Sequence, residues 1–95
     1  MKKSINPQAI EIQKRFFQAL ELAIDSGKIN GIKGFCDNHK LNRIKYQNIK
    51  TSLQKPLEES AYKCIDIDAL QYLCNDFNVS CEWLIFGRGG MLKGE

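Results

Sequence analysis

Apolar residues in this chain recur every three or four positions in short bursts, and each burst is bracketed by residues that start or stop a helix. Asn6 can cap, Pro7 suits a first helical position, and Ile5 and Ile10 are spaced to staple the start together. Ile10, Phe17, Leu20 and Ile24 then follow at helical spacing, with Phe16, Ala19 and Ala23 beside them, until Gly27 ends the run. After Lys28 and Ile29, Asn30 is placed to cap a second, short helix from 31 to about 39, with Ile32, Phe35 and Cys36 inward. A turn around residues 40–42 leads to Asn42, the expected cap of a third helix from 43 to about 54, which must end before Pro56. Residues 55–65 read as a loop, with room for one helical turn near 58–62. Asp66 is the expected cap of a fourth helix with Ile67, Leu70, Leu73, Cys74 and Phe77 inside and Asn78 closing it. Ser80 caps a last helix through Phe86 that stops at Gly87, and Gly89, Gly90 and the final residues are expected to be mobile. No alternating pattern interrupts this series, so the expected fold is all-α.

Ninety-five residues suffice for one small core, and the reading is a single domain over 1–95, with its core at about 6–87. The 43% apolar and 26% charged fractions are those of an ordinary folded domain. No stretch approaches the roughly 18 apolar residues of a membrane span. Glu11, Lys14 and Arg15 interrupt any apolar signal core behind Lys2 and Lys3, so the chain reads as cytoplasmic and not membrane-bound. Cys36, Cys64, Cys74 and Cys81 include no Cys-x-x-Cys pair and read as buried, reduced thiols. The sharper readings are a redox role or zinc. Cys36 and His39 are spaced like half a zinc site, but the other half is missing, so no metal and no cofactor are expected.

The net charge of +3 hides an uneven distribution. Between 28 and 55, Lys28, Lys33, Lys40, Arg43, Lys45, Lys50 and Lys55 stand against Asp37 alone, a net of +6, whereas 56–95 carries −4. A polarised chain of this kind offers one face to a polyanion, unless the block is merely a solvated basic face.

Two short helices joined by a tight turn, at about 30–54 and inside the most basic segment, have the layout of a helix-turn-helix. Cys36 is a small residue where the pair must cross, and Leu41 is an apolar plug for the turn. At about 100° per residue, Tyr46, Ile49 and Leu53 share the core side of the third helix. Arg43, Ile44, Gln47, Thr51 and Gln54 fall on the opposite side, with Lys45, Asn48, Lys50 and Ser52 on the flanks. Arg, Gln, Asn and Thr hydrogen-bond base edges in a major groove, and an isoleucine can touch a thymine methyl. The expected base contacts are Arg43, Gln47, Asn48 and Thr51, with Ile44 and the capping Asn42 beside them. Lys33, Lys45 and Lys50 are expected on phosphates, joined by backbone amides at the starts of the second and third helices. The bland alternative is an ordinary amphipathic surface helix.

These residues resemble the lambda-repressor and Cro-like helix-turn-helix regulators over roughly 10–91. The resemblance rests on Phe35-Cys36, Leu41, Ile49 and above all the tail from Phe77 through Val79, Ser80, Trp83, Leu84, Gly87 and Gly89 to Met91, which is similar to the ending F-x-V-S-x-x-W-L-x-x-G-x-G-x-M common in phage-repressor-like proteins. It implies a five-helix domain that binds double-stranded DNA and regulates transcription, most simply as a repressor. The chain departs from that family at Lys40, where a glycine is usual in the turn, and at Ile32, where a glutamine usually opens the second helix and makes a DNA contact. It departs also at Tyr46, where valine or isoleucine is usual, implying a slightly displaced third helix, and in the longer loop at 55–65.

Such regulators commonly pair as homodimers, and Trp83, Leu84, Ile85 and Phe86 supply either core or a dimer surface. Catalysis has little to work with: His39, the only histidine, stands alone at a helix end with no paired nucleophile. No phosphate loop or paired-carboxylate motif is present, and no small-molecule substrate is implied. The serious rival is a helix-turn-helix that binds protein, as an antirepressor or antitoxin partner does.

Overall fold

The computed structural model describes residues 6–54 and 64–94. The helical turn expected near 58–62, most of the 55–65 loop, and Ile5 of the staple lie outside them. Among the described residues there are five α-helices: α1 (Pro7–Asp25), α2 (Ile32–His39), α3 (Arg43–Ser52), α4 (Ile67–Phe77) and α5 (Cys81–Phe86). None is long and apolar enough to cross a membrane. The all-α expectation holds for these residues, with a single isolated bridge between Val79 and Leu92.

Local chemistry explains most of the boundaries. Asn6 Oδ1 accepts from the Gln8 amide at 2.8 Å, and Pro7 begins α1. Gly27, at φ 77°, turns the chain out of α1 in a left-handed conformation open to glycine. Asn42 and Ser80 cap as expected, accepting from the amides of Lys45 at 3.0 Å and Trp83 at 3.4 Å. Asn78 closes α4 in the left-handed region at φ 59°. Two caps differ. The residue before α2 is Gly31, not Asn30: its φ of 129° suits glycine, and no side chain caps the helix. Asp66 stands at the N-cap of α4 but makes no capping bond, because its carboxylate is engaged by α3. The third helix ends at Ser52, two residues short of the expected Gln54, with Leu53 as its C-cap.

Phe16, Phe17, Leu20, Phe35, Cys36, Tyr46, Ile49, Leu73, Phe77, Val79 and Leu84 form one apolar cluster drawing on all five helices. Phe16 sits at its centre, edge-on to Phe17 and Phe35 at 5.0 and 5.8 Å. Burial of Ala69, Leu73 and Phe77 at steps of four sets the inner row of α4. Ile67, expected inside, lies two positions from Ala69, about 200° around the helix; it is 87% exposed.

The C-terminal segment also departs from expectation. Ser80 N–H donates to Met91 O at 2.8 Å and Lys93 N–H to Asn78 O at 2.9 Å, so residues 91–93 are tied to the α4–α5 corner rather than loose. In α5, Leu84 is buried while Trp83 and Ile85 pack against the core, which leaves only Phe86, 66% exposed, of the four-residue apolar surface. Arg15 of α1 holds this helix: its Nε and Nη2 donate to Leu84 O at 2.8 Å and Ile85 O at 2.9 Å. A cation is thereby set against carbonyls that have no helical partner. Gln13, the buried polar residue of α1, does similar work, its Oε1 accepting from the Ile65 amide at 2.9 Å.

Candidate nucleic-acid interface

The α2–α3 pair is built on small-residue and left-handed geometry. Cys36 is fully buried, and burial, with Asp37 adding repulsion, pushes its thiol up to about 11. It therefore stays protonated and acts as a small apolar contact. Leu41 packs against the core as the turn's plug. Lys40, the C-cap of α2, adopts the left-handed conformation at φ 57° and ψ 39°. An L-residue in this region costs roughly 1–2 kcal/mol, and the Leu41 amide bonded to Cys36 O at 2.8 Å helps hold the turn closed.

The orientation of α3 is set from beneath. Tyr46 is wholly buried, with its ring 6.2 Å from Phe16. Its hydroxyl donates to Asp66 Oδ2 at 2.7 Å and accepts from the Asp66 amide at 3.0 Å. Burial and the Asp66 hydrogen bond push the phenol well above its ordinary range. In turn, the Tyr46 hydroxyl, aided by Lys45, holds the Asp66 carboxyl below its ordinary value despite burial. Tyr46 thus couples α3 to the start of α4, an arrangement that valine or isoleucine has no hydroxyl to make.

With Tyr46 and Ile49 turned inward, the opposite side of α3 is open. Arg43, Ile44, Gln47, Asn48 and Thr51 are exposed, as are Asn42 and Gln54, and Ile44 reaches 67% exposure. The Thr51 hydroxyl donates back to Gln47 O at 3.0 Å, and the Asn42 side chain is spent as a cap. Arg43, Ile44, Gln47 and Asn48 are thus brought together with their side chains outward. Lys33 is exposed on α2.

The flanking lysines are placed differently. Lys45 Nζ lies 3.2 Å from Asp66 Oδ1, and Lys50 Nζ is paired with Glu21 of α1. Two of the three expected phosphate-binding lysines therefore rest on carboxylates of other elements, while Lys33 and Arg43 make no ion pair among the described residues. Spacing within the third helix carries no sign of Glu21 or Asp66, whose positions depend on helix packing.

His39 also differs from its reading as an isolated group. Its Nε2 is 2.6 Å from Asp76 Oδ2, and its ring stacks on Tyr72 at 4.0 Å and 4°. With Phe35 5.1 Å away on α2 itself, the imidazole clamps the end of α2 onto α4.

Comparison with protein-family models, with curated proteins and with solved structures returns no significant match.

Proposed function

We propose that this chain is a lambda-repressor-like helix-turn-helix regulator that binds double-stranded DNA through α3, without catalysis and without a cofactor. The observation that carries the reading is the exposed stripe of Arg43, Ile44, Gln47 and Asn48 on a helix locked from behind by Tyr46 and Ile49. A stripe so held presents side chains able to read base edges from a rigid support. In this reading α3 enters the major groove. Arg43, Gln47, Asn48 and Thr51 face bases, Ile44 meets a thymine methyl, and Lys33 meets a phosphate beside the first-turn amides of α2, which lack a side-chain cap. Lys45 and Lys50 contribute by exchanging Asp66 and Glu21 for phosphates, which reduces their net gain. Two copies read two half-sites, with Phe86 as the exposed apolar contact between them.

One observation favours the rival reading, a module that docks protein. Ile44 is the most exposed large apolar residue of α3, and two of its flanking cations are already neutralised within the fold. Titrating the chain into random duplex DNA at low salt separates the two. Binding that weakens linearly on a log–log salt plot, by about 0.9 per neutralised phosphate, supports the DNA reading; absence of binding to any duplex removes it. On a site selected from random sequence, Arg43→Ala or Gln47→Ala should cost about 1–3 kcal/mol. Lys33→Ala should weaken all duplexes alike and reduce the salt slope by about one.

A further inference from the structure

The four cysteines were expected to be equivalent buried thiols, yet two of them are exposed and two lie together. Cys36 and Cys74 are buried, whereas Cys64 and Cys81 are exposed. The Cys81 thiol at the first position of α5 hydrogen-bonds to Cys74 of α4, with the two sulfurs 3.3 Å apart. We propose that Cys74 and Cys81 are a modification site: a dithiol that a hydroperoxide oxidises to an intramolecular disulfide across the α4–α5 corner.

The placement has three parts. First, the corner is held from outside the pair: Asn78 is left-handed, Val79 is buried and bridged to Leu92, and the Ser80 and Lys93 amides bond to Met91 O and Asn78 O. The sulfurs are kept adjacent by the fold rather than by chance rotamers of a loose loop. Second, a bonded pair of sulfurs is about 2.05 Å apart, so closure needs an approach of little more than about 1 Å. Third, the two thiols differ in access. Cys81 meets solvent, whereas burial, and then the neighbouring Cys81, push the Cys74 thiol up to about 11 against the opposing pull of Lys93. The exposed sulfur is the one that an oxidant reaches, and the buried one waits in contact with it.

The chemistry balances with the peroxide alone. The Cys81 thiolate attacks one peroxide oxygen and the O–O bond breaks. The departing hydroxide takes up a proton as water, leaving Cys81 as the sulfenic acid. Cys74 Sγ, giving up its proton, then attacks the Cys81 sulfur; the S–O bond breaks and a second water leaves. Two thiols have lost two protons and two electrons, and one peroxide has become two waters. Cys36 is sealed under the α2–α3 crossing, fully buried, and takes no part. None of this depends on DNA binding.

The test is to treat the reduced full-length chain with hydrogen peroxide and map its cysteines by mass spectrometry after alkylation without reductant. The expected product is a monomer lighter by two hydrogens, with Cys74 and Cys81 joined in one disulfide-linked peptide and both protected from alkylation. It should show a higher Tm that dithiothreitol returns to the starting value. Cys74→Ser should leave Cys81 as a sulfenic acid trapped by dimedone. Cys81→Ser, a change at an exposed position, should leave Cys74 a reduced thiol. The proposal is overturned if Cys81 advances to the sulfinic acid while Cys74 remains alkylatable. It is equally overturned if the disulfides formed map to Cys36 or Cys64, or join separate chains.

Discussion

The inner and outer sides of α3 carry polar groups of similar kinds, and the fold uses them in opposite ways. Inside and along the flank, Tyr46, Lys45 and Lys50 are committed: to Asp66 through the phenol and one ammonium, and to Glu21 through the other. Outside, Arg43, Gln47 and Asn48 are exposed, and none of the three carries an ion pair among the described residues. The difference teaches that a block of positive charge is not itself an interface. Two of the three expected contact lysines are tied to the scaffold, and what packing leaves uncovered is a narrower stripe.

This contrast can be broken by substitution, and the inner side should show the greater effects on stability. Tyr46→Ala removes a fully buried ring from the seam of α1, α3 and α4; it should cost about 3–5 kcal/mol in urea unfolding. A loss below about 1 kcal/mol would mean that Tyr46 is not the anchor of α3. Tyr46→Phe keeps the ring and deletes only the hydroxyl shared with Asp66, so a loss of about 1–2 kcal/mol is expected.

The same seam has a pH signature. Asp66 is held below its ordinary 3.8, so the folded state binds its proton less readily than the unfolded chain does. Its contribution is then fully present above that value and is lost as pH falls through the lowered one. Asp66→Asn should accordingly be less stable than the natural chain at neutral pH, and the gap should narrow as pH falls below 3.8. A gap that stays constant, followed by unfolding midpoints across that range, would show that Asp66 has no special partner in the fold.

Relief of strain in the turn should give a smaller effect of opposite sign. Lys40→Gly exchanges an L-residue at φ 57° for one at ease there, and a stabilisation of about 0.5–1 kcal/mol is expected after glycine's greater freedom in the unfolded chain is deducted. The smallest effects belong to the outer stripe. Arg43→Ala and Gln47→Ala should change stability by no more than about 0.5 kcal/mol, whatever they do to binding. A larger loss would show that they hold the scaffold.

Where sequence reading succeeded, the information was local. Asn42 and Ser80 announced helix starts because a short polar side chain reaches its own helix's amides, and Gly27 and Asn78 announced ends because few residues enter the left-handed region cheaply. Tyr46 and Ile49 against Arg43 and Gln47 followed from helical geometry alone. Where it failed, a second element had intervened. The apolar nature of Ile67 points inward, but packing chose the Ala69–Leu73–Phe77 row. Asp66 stands at the expected N-cap position, but the Tyr46 hydroxyl and Lys45 ammonium claim its carboxylate. Arg15 gave no hint that it would bind the end of α5, some 70 positions away.

For this protein the amino-acid order by itself determined the helices, most of their ends, the basic block and the side of α3 that had to be polar, because each is settled within one or two turns of chain. Tertiary structure alone decided which charges were consumed inside the molecule and which sulfurs were brought together. The charge pairs join residues 21 and 29 positions apart, and the two sulfurs, though only seven positions apart, meet across a corner that residues 91–93 hold. Such distances exist only once a shared apolar core has drawn the helices against one another.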